Sequence, residues 1–122
     1  MSFRFPKHLR LRSSADFERV YNRRCRASNR HLLLFGDVNG LEASRWGVSV
    51  SRKLGNAVAR ARLKRLLREA FRLTRSELPP GIDFVAIPRV GEEPLRLADL
   101  LKTLPALARQ IEDRLRRRDG PP

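Results

Sequence analysis

A run of positive charge on one predicted helix constrains this chain more than any other feature of its sequence. Residues 53–72 read KLGNAVARARLKRLLREAFR and contain seven cationic side chains and a single acid, Glu69. The leucines and alanines of this stretch recur at helical spacing, which predicts an amphipathic helix over residues 57–74. Gly55 and Asn56 precede it as a turn and an N-cap. The fold must therefore bury one face of this helix and leave a strongly cationic face outside.

The two faces of this helix separate on a helical wheel. The face predicted to contact the core consists of Ala59, Leu63, Leu66, Leu67, Ala70 and Leu73. The opposite face consists of Lys64, Arg65, Arg68 and Arg72 around Ala61, with Arg60 and Arg62 at its flanks. Lys64 and Arg72 each lie four residues from Arg68, and like charges at that spacing destabilise a helix. A solvated face is the simpler alternative, but such a face normally mixes signs, so we expect this one to bind a polyanion.

The charge balance of the whole chain also predicts a polyanionic partner. It has 27 Lys and Arg residues against 13 Asp and Glu residues, a formal net charge of +14. Four of these cations are lysines, namely Lys7, Lys53, Lys64 and Lys102. Because a guanidinium group grips phosphate with two parallel donors and stacks on bases, the arginine excess favours nucleic acid over an anionic membrane. The 41% hydrophobic fraction over 122 residues is typical of one folded domain.

No signal for export or for a membrane is visible in the sequence. The opening residues, MSFRFPKHLRLRSS, lack the apolar core of a signal peptide. The longest run of large apolar residues, LLLF at 32–35, is too short to cross a bilayer. Cys25 is the single cysteine, which excludes an internal disulfide. These features predict a cytoplasmic protein.

Residues on either side of the basic helix predict a fold that mixes helices and strands. A first helix is expected to begin near Ser13, which has capping-box spacing to Asp16. Strands are predicted over residues 31–38, 46–52 and 83–88. In the second strand, Trp46, Val48 and Val50 alternate with Gly47, Ser49 and Ser51. Its small, polar face is typical either of a groove or of an ordinary solvent-facing side.

The rest of the chain predicts one more helix and two flexible terminal segments. Asn39-Gly40 marks a turn after the first strand. A leucine-rich amphipathic helix is predicted from Leu97 to Arg118, with Pro105 either kinking it or dividing it in two. We expect a single domain over residues 1–122, with residues 1–12 as a flexible basic arm and residues 118–122 as a frayed tail.

The residues VSVSRKLGNAVARARLKRLLREAFR resemble the signature of the protein subunit of bacterial ribonuclease P. In that family a strand ending in serine and basic residues leads into Gly-Asn-Ala-Val. A helix follows that carries Arg-Asn-Arg and continues through Lys-Arg and Arg. The segments RLRSSADFERVY, ASNRHLLLFG and DFVAIPR resemble the family's first helix, its first long strand and the strand after the basic helix. The resemblance covers the chain from Arg10 to about Leu107.

This resemblance implies an α+β fold, a two-layer α/β sandwich with a small central sheet of about four strands. A first helix, the long basic helix in a left-handed β-α-β crossover and a C-terminal helix pack with that sheet. The general rule for such crossovers favours the right-handed form, so the left-handed one comes from the resemblance alone. The short fourth strand is expected within RCRASN, residues 24–29.

The resemblance also implies a function. In this family a large catalytic RNA with bound Mg²⁺ cleaves the 5′ leader from precursor tRNA, and the protein holds the single-stranded leader and favours precursor over product. The expected partners are therefore the ribonuclease P catalytic RNA and precursor tRNA, and Mg²⁺ is the ion that the RNA-based reaction requires. For the protein itself we expect no catalytic residue, no metal site, no membrane contact and no obligate protein partner.

Two sets of residues match the family's RNA-binding positions. The set expected to contact RNA through the basic helix and the preceding loop is Arg52, Lys53, Asn56, Arg60, Arg62, Lys64, Arg65, Arg68 and Arg72. The set expected to form a leader-binding cleft is Phe17, Tyr21, Phe35 and Ser49. On spacing alone Phe17 and Tyr21 favour a core role; the resemblance reverses this for Tyr21 and leaves Phe17 open. Phe35 is compatible with either the core or the cleft.

One position departs from the family pattern. Arg60-Ala61-Arg62 stands where the family has Arg-Asn-Arg. Attraction to phosphate depends on charge rather than on an amide, so RNA binding is expected to persist. Any base-specific or metal-linked contact of the asparagine is absent, which predicts a weaker preference for leader sequence.

Other functional classes fit this sequence less well. A metal-dependent nuclease needs clustered carboxylates, whereas the adjacent pairs Glu92-Glu93 and Glu112-Asp113 have side chains that point apart. A DNA-binding helix-turn-helix needs a short helix before the basic one, where a strand is predicted instead. The serious alternative is a generic RNA-binding protein, such as a ribosomal component or an RNA chaperone, without a leader cleft. Stacking of single-stranded RNA on Tyr21 and Phe35 would distinguish the two.

Overall fold

The structure, a computed structural model, describes residues 7–120. In chain order its elements are α1 (Ser14–Arg23), β1 (Arg26–Ser28), β2 (Leu32–Val38), β3 (Arg45–Val48), α2 (Ala57–Thr74), β4 (Ile82–Pro88) and α3 (Leu97–Asp119). The four strands form one sheet in the order β1-β2-β4-β3. β2 pairs antiparallel with β1 and β4, whereas β3 pairs parallel with β4, so α2 is the crossover between parallel strands. The predicted α+β fold with a four-stranded sheet is confirmed.

Local capping signals set the starts of two helices. The Ser13 hydroxyl accepts a hydrogen bond from the Asp16 amide (3.0 Å) at the start of α1. Asn56 Oδ1 accepts one from the Ala59 amide (2.9 Å) at the start of α2. Both residues satisfy amide groups that have no partner within the first helical turn. β1 is the short strand that the resemblance implied within residues 24–29.

β3 is shorter than the predicted strand over residues 46–52. Its regular pairing ends at Val48, and beyond that point the Ser49 amide still donates to the Ala86 carbonyl (3.0 Å). A 3-10 turn over Arg52–Leu54 then leads into α2. The chain leaves the sheet early because it must turn back across the sheet to begin the crossover.

Pro105 lies inside α3, which runs without interruption from Leu97 to Asp119. The alternative in which this proline divides the helix is therefore excluded. A proline removes one main-chain hydrogen bond and costs about 3 kcal/mol in a helix interior. Pro105 is buried together with Leu104 and Leu107, and the packing of this apolar face holds the helix together across the missing bond.

The buried face of α2 is rotated from the one predicted on the helical wheel. Its buried residues are Leu67, Ala70, Phe71 and Thr74. Leu73, which was predicted to face the core, is 45% exposed, so that prediction was wrong. Phe71 stacks on Trp46 of β3 with ring centroids 3.9 Å apart. The Phe71–Trp46 stack buries more apolar surface than Leu73 would, and it therefore determines how α2 is rotated against the sheet.

The two faces of the sheet carry different helices. α2 and α3 cover one face, where the main core forms around Trp46, Phe71 and Phe84. α1 lies on the other face, where Val20 and Val85 belong to a second, smaller core cluster. Successive residues of a strand point to opposite faces, so neighbouring positions on β4 contribute to both cores.

Two glycines allow the helices to approach the sheet. A Cβ atom on Gly36 would lie 2.5 Å from Cγ2 of Ile111 in α3. One on Gly47 would lie 2.4 Å from the ring of Phe17 in α1. Both distances are far below van der Waals contact, so a side chain at either position would push a helix residue away from the sheet.

Part of the predicted basic arm packs against the sheet. Leu9 and Leu11 are buried, and the Leu11 amide donates to the Trp46 carbonyl (2.9 Å) at the edge of β3. Residues 1–6 of the predicted arm and residues 121–122 of the predicted tail lie outside the described residues.

A group of charged side chains, which we call the Asp83 network, holds α1 against the sheet. Asp83 of β4 is 0% exposed and accepts hydrogen bonds from Arg45 of β3 (Nε to Oδ1 3.0 Å, Nη2 to Oδ2 2.7 Å). Asn39 donates to the same carboxylate (2.9 Å). Arg19 of α1 donates to Asp83 and also to Asp37 of β2 (2.7 Å). One buried carboxylate therefore connects a helix with the strands beneath it.

The arginines of this network stay charged. Burial alone would lower the pKa of Arg19, but its hydrogen bonds to Asp37 and Asp83 outweigh that effect and raise it. The hydrogen bond to Asp83 likewise raises the pKa of Arg45. Both arginines therefore remain cationic beside Asp83.

Replacing Asp83 by Asn should destabilise the fold, because Arg19 and Arg45 would lose the buried charge that they surround. Breaking a buried ion pair costs about 3–5 kcal/mol, and we expect a loss near 3 kcal/mol because both arginines retain contact with water. Urea unfolding measures this free energy. Asp113→Asn, on the exposed surface of α3, is the matched control and should change stability by less than about 0.5 kcal/mol. Equal stability of the two variants would contradict the assigned role of Asp83.

Candidate nucleic-acid interface

Three aromatic side chains meet where α1 crosses the sheet. The ring centroids of Phe17 and Tyr21 on α1 lie 6.3 Å apart, and Tyr21 meets Phe35 of β2 edge to face at 5.1 Å. All three side chains are half-buried and pack on the cluster that contains Val20 and Val85. Each ring is therefore held on one side by the protein and has surface left for another planar group.

Beyond these rings the same face of the sheet remains accessible. Leu33 of β2 lies opposite Ile87 of β4, and both are half-buried rather than covered by a helix. Ser28 of β1 lies opposite Leu33 on one side, and Ser49 follows β3 on the other. This surface, which we call the cleft, consists of Phe17, Tyr21, Leu33, Phe35, Ser49 and Ile87. It combines an apolar floor with aromatic rings at one end and Ser49 on the β3 side, and Ser28 borders it on the β1 side.

Sequence reasoning placed four of these residues and missed two. Phe17, Tyr21, Phe35 and Ser49 were predicted, and the structure brings them to the same face of the sheet. Leu33 and Ile87 were missed because both belong to strands that read as almost uniformly apolar. The alternation of residues along β2 would have identified Leu33 once the core-facing side was known.

The cationic side chains of α2 and of the turn before it differ in exposure. The exposed ones are Arg52, Lys53, Arg62, Arg65 and Arg68, while Arg60 and Lys64 are half-buried. Within residues 7–120, none of these seven side chains forms an ion pair. Ala61 is exposed between Arg60 and Arg62, where the family pattern has asparagine. The uncompensated charge makes this surface, which we call the basic face, attractive to phosphate groups.

Two residues of the predicted RNA-contacting set have partners within the protein. Arg72 is half-buried and donates through Nε to Glu69 Oε2 (3.0 Å), which lowers the pKa of Glu69. Asn56 uses its Oδ1 atom to cap α2, and its amide nitrogen remains available for another contact. The charge of Arg72 is thus partly neutralised, and the five exposed cations are the stronger candidates.

A cavity of about 250 Å³ lies between β3, the N-terminal segment and α2. Arg10 and Arg12 of the N-terminal segment line it together with Arg68 of α2 and Gly47 of β3. Gly47 is also the residue that the Phe17 ring approaches from the cleft. Arg10 and Arg12 were not among the predicted contacts; the basic composition of residues 1–12 was the signal that could have found them.

The carboxylates of this part of the chain are not arranged as a metal centre. Among residues 7–120, no group of three or more His, Cys, Asp and Glu side chains could hold a metal ion. The buried carboxylates Asp37 and Asp83 accept hydrogen bonds from arginine instead. In the same range, no helix combines the length and the apolar character that crossing a bilayer requires.

Comparison with known proteins identifies this architecture. The family model described as Ribonuclease P matches residues 5–112. The "Ribonuclease P protein component" of Brevibacillus brevis is 41% identical over 96 residues, which cover 78% of this chain and 76% of that protein. The protein of the same name from Desulfovibrio desulfuricans is 42% identical over 115 residues, covering 87% of this chain and 88% of that protein.

Solved structures agree with the sequence comparisons. The RNase P protein from Thermotoga maritima superimposes with a TM-score of 0.73 at 34% identity and covers 82% of this chain and 96% of its own. A Staphylococcus aureus RNase P protein mutant with defective mRNA degradation activity gives a TM-score of 0.75 at 30% identity, covering 87% of this chain and 90% of its own. The matched region includes α1, the sheet and α2, and thus both surfaces described above. The chain belongs to the ribonuclease P protein family.

Proposed function

We propose that this protein binds the catalytic RNA of a bacterial ribonuclease P through its basic face and holds the single-stranded 5′ leader of precursor tRNA in its cleft. The observation that carries this proposal is the position of Gly47, which lines a cavity together with Arg68 of the basic face and lies against the Phe17 ring of the cleft. A strand of RNA bound along the sheet would pass directly from the aromatic rings to the unpaired cations. The names of the curated relatives support a role as the protein component of this enzyme.

The cleft suits unpaired bases rather than a duplex. Bases without a pairing partner expose both of their faces, and stacking on an aromatic side chain contributes about 1–3 kcal/mol per base. Tyr21 and Phe35 are held edge to face, so only part of each ring is free for such contact. Because mature tRNA no longer has a leader, any energy gained in the cleft favours precursor over product.

The basic face supplies attraction without reading sequence. Arg62, Arg65 and Arg68 project from one exposed side of α2, where phosphate oxygens can replace the missing acidic partners. Contacts to phosphate position an RNA but carry little sequence information. The methyl group of Ala61 in the middle of this surface offers no hydrogen bond to a base. We therefore propose affinity for RNA shape and charge, with little preference for leader sequence.

The chemistry in this proposal belongs to the RNA. Mg²⁺ bound there would activate the attacking water and stabilise the leaving oxygen. The side chains of this protein contribute by holding the leader and by neutralising phosphate charge near the junction with the tRNA. Asp37 and Asp83, the buried carboxylates below α1, hold the cleft wall in place through Arg19.

Single-turnover cleavage of precursor tRNA by a bacterial ribonuclease P RNA at low Mg²⁺ tests this function. Leaders of one nucleotide and of about eight nucleotides, the size that one single-strand binding domain covers, would be compared with and without the protein. We expect the protein to restore cleavage and the long leader to gain more. Equal gains would contradict leader binding in the cleft. RNA binding without any gain would instead favour a generic RNA-binding protein.

Replacing Tyr21 by Leu should weaken the advantage of the long leader by roughly 5- to 150-fold, which corresponds to the loss of one stacking contact. Leucine retains apolar packing against Val85 but has no planar face. The substrate with the short leader is the internal control and should be cleaved as by the unsubstituted protein. An unchanged ratio of the two rates would exclude Tyr21 as a stacking platform.

Replacing Arg65 by Ala should reduce the salt dependence of binding to the catalytic RNA. Each phosphate contact contributes about 0.7–0.9 to the slope of log K against log salt concentration, so the slope should become shallower by about that amount. Filter binding at several salt concentrations measures it. Arg109→Ala, an exposed arginine on α3 with the same change in charge, is the matched control and should leave the slope unchanged. A similar decrease in both variants would mean that net charge, not the basic face, determines binding.

A further inference from the structure

The C-terminal end of α1 adopts a backbone conformation that needs support. Arg24, which follows the helix, has φ 58° and ψ 26°, in the left-handed region. Among residues 7–120 it is the one non-glycine residue with positive φ. A residue with a side chain persists in this region when surrounding contacts hold it there. Its amide donates to the Tyr21 carbonyl (3.0 Å), so this turn is directly connected to the cleft.

The last turn of α3 supplies that support. Arg118 donates from Nη1 to the Arg23 carbonyl (3.0 Å) and from Nη2 to the Arg24 carbonyl (3.2 Å). Carbonyl groups at the end of a helix lack partners within the helix and carry partial negative charge, which favours a guanidinium group at this position. In return, the guanidinium group of Arg23 donates to Asp119, and this contact raises the pKa of Arg23. Two adjacent residues of α3 thus bind both the backbone and a side chain of α1.

Polar contacts add to the apolar packing of α1 against the sheet. Val20 is the single fully buried residue among the ten residues of the helix. Arg19 anchors the helix to the Asp83 network, and Arg23 anchors it one turn later to Asp119, with Asp37 also within 3.8 Å of Arg23. Tyr21 lies between these two anchors.

From this arrangement we infer that Arg118 and Asp119 are positioning residues for the cleft: through Arg23 and Arg24 they hold Tyr21 beside Phe35, where it can meet a leader base. They act from the opposite end of the chain and need no contact with RNA. The effect on leader binding rests on the function proposed above, whereas the effect on the Tyr21 ring does not.

The Asp119→Asn variant distinguishes a positioning role of Asp119 from the effect of its negative charge on RNA binding. Removing an acid makes the protein more positive, so charge alone would strengthen RNA binding. Loss of the Arg23 anchor should instead reduce the advantage of the long leader, by roughly three- to tenfold if the stacking partner is displaced rather than removed. We expect the loss in KM with kcat unchanged. Asp113→Asn is the matched control, since Asp113 is exposed on the same helix and forms no ion pair within residues 7–120.

Arg118→Ala tests the backbone contact in the same way, with Arg117→Ala as its control. Arg117 is exposed, carries the same charge and donates to neither Arg23 nor Arg24. Arg118→Lys retains a donor and should recover part of the long-leader advantage. Equal effects of the substitutions at 117 and 118 would overturn the inference, because charge alone would then explain both.

The environment of the Tyr21 ring can be measured directly, because the chain contains a single tyrosine. Incorporation of 3-fluorotyrosine therefore gives one ¹⁹F resonance. We expect Asp119→Asn and Arg118→Ala to shift or broaden this resonance, and the two controls to leave it unchanged. An unchanged resonance in both variants overturns the inference, as does a displaced ring without any loss of the long-leader advantage.

The same experiments distinguish failure of the inference from failure of the proposed function. If the unsubstituted protein treats both leader lengths alike, the cleft does not bind the leader and the proposed function fails. The fluorine resonance then decides the inference alone: a shift shows that α3 positions Tyr21, and no shift overturns it.

Discussion

The buried carboxylate of Asp83 is the interaction on which the arrangement of this protein depends. It lies on β4, one of the two central strands, and accepts hydrogen bonds from Arg45 on the edge strand and from Arg19 on α1. A carboxylate without contact to water is tolerated only when charged donors surround it, so these arginines are confined to one geometry. Val20 is the one fully buried residue of α1, so this confinement adds to the apolar packing that holds the cleft wall.

A second constraint places the basic face beside that cleft. Like charges repel along α2, so the helix relies on its packing rather than on its own surface for stability. The stack of Phe71 on Trp46 fixes the rotation of α2 against β3, and the cationic side chains then project from the side where Arg68 approaches Gly47. Gly47 also lies against the Phe17 ring of the cleft, so both surfaces reach this glycine.

The elements that the sequence predicted well are those with local signals. Asn56 and Ser13 cap their helices as their spacing indicated, and the helix over residues 57–74 has the predicted bounds. The errors arose where contacts with residues far away in the sequence determine the local structure. Leu73 is exposed because the Phe71–Trp46 stack rotates the helix, and α3 continues through Pro105 because its neighbours are buried. The cationic face followed from the helix pattern itself, whereas the predicted cleft residues came from a family resemblance. Neither Leu33 nor Ile87 could be assigned to the cleft before the exposed face of the sheet was known.

The sequence by itself determined the cationic helix, its caps and the positive charge that predicts a polyanionic partner, because periodicity and capping depend on residues close together in the chain and net charge depends on composition alone. Only the tertiary structure decided which helix face is buried, which sheet face remains open and how α1 is anchored. Those features depend on contacts between residues far apart in sequence, such as Arg19 with Asp83 and Arg23 with Asp119. No local pattern specifies these pairs, since an arginine is equally compatible with solvent, with RNA or with a buried carboxylate until the chain has folded.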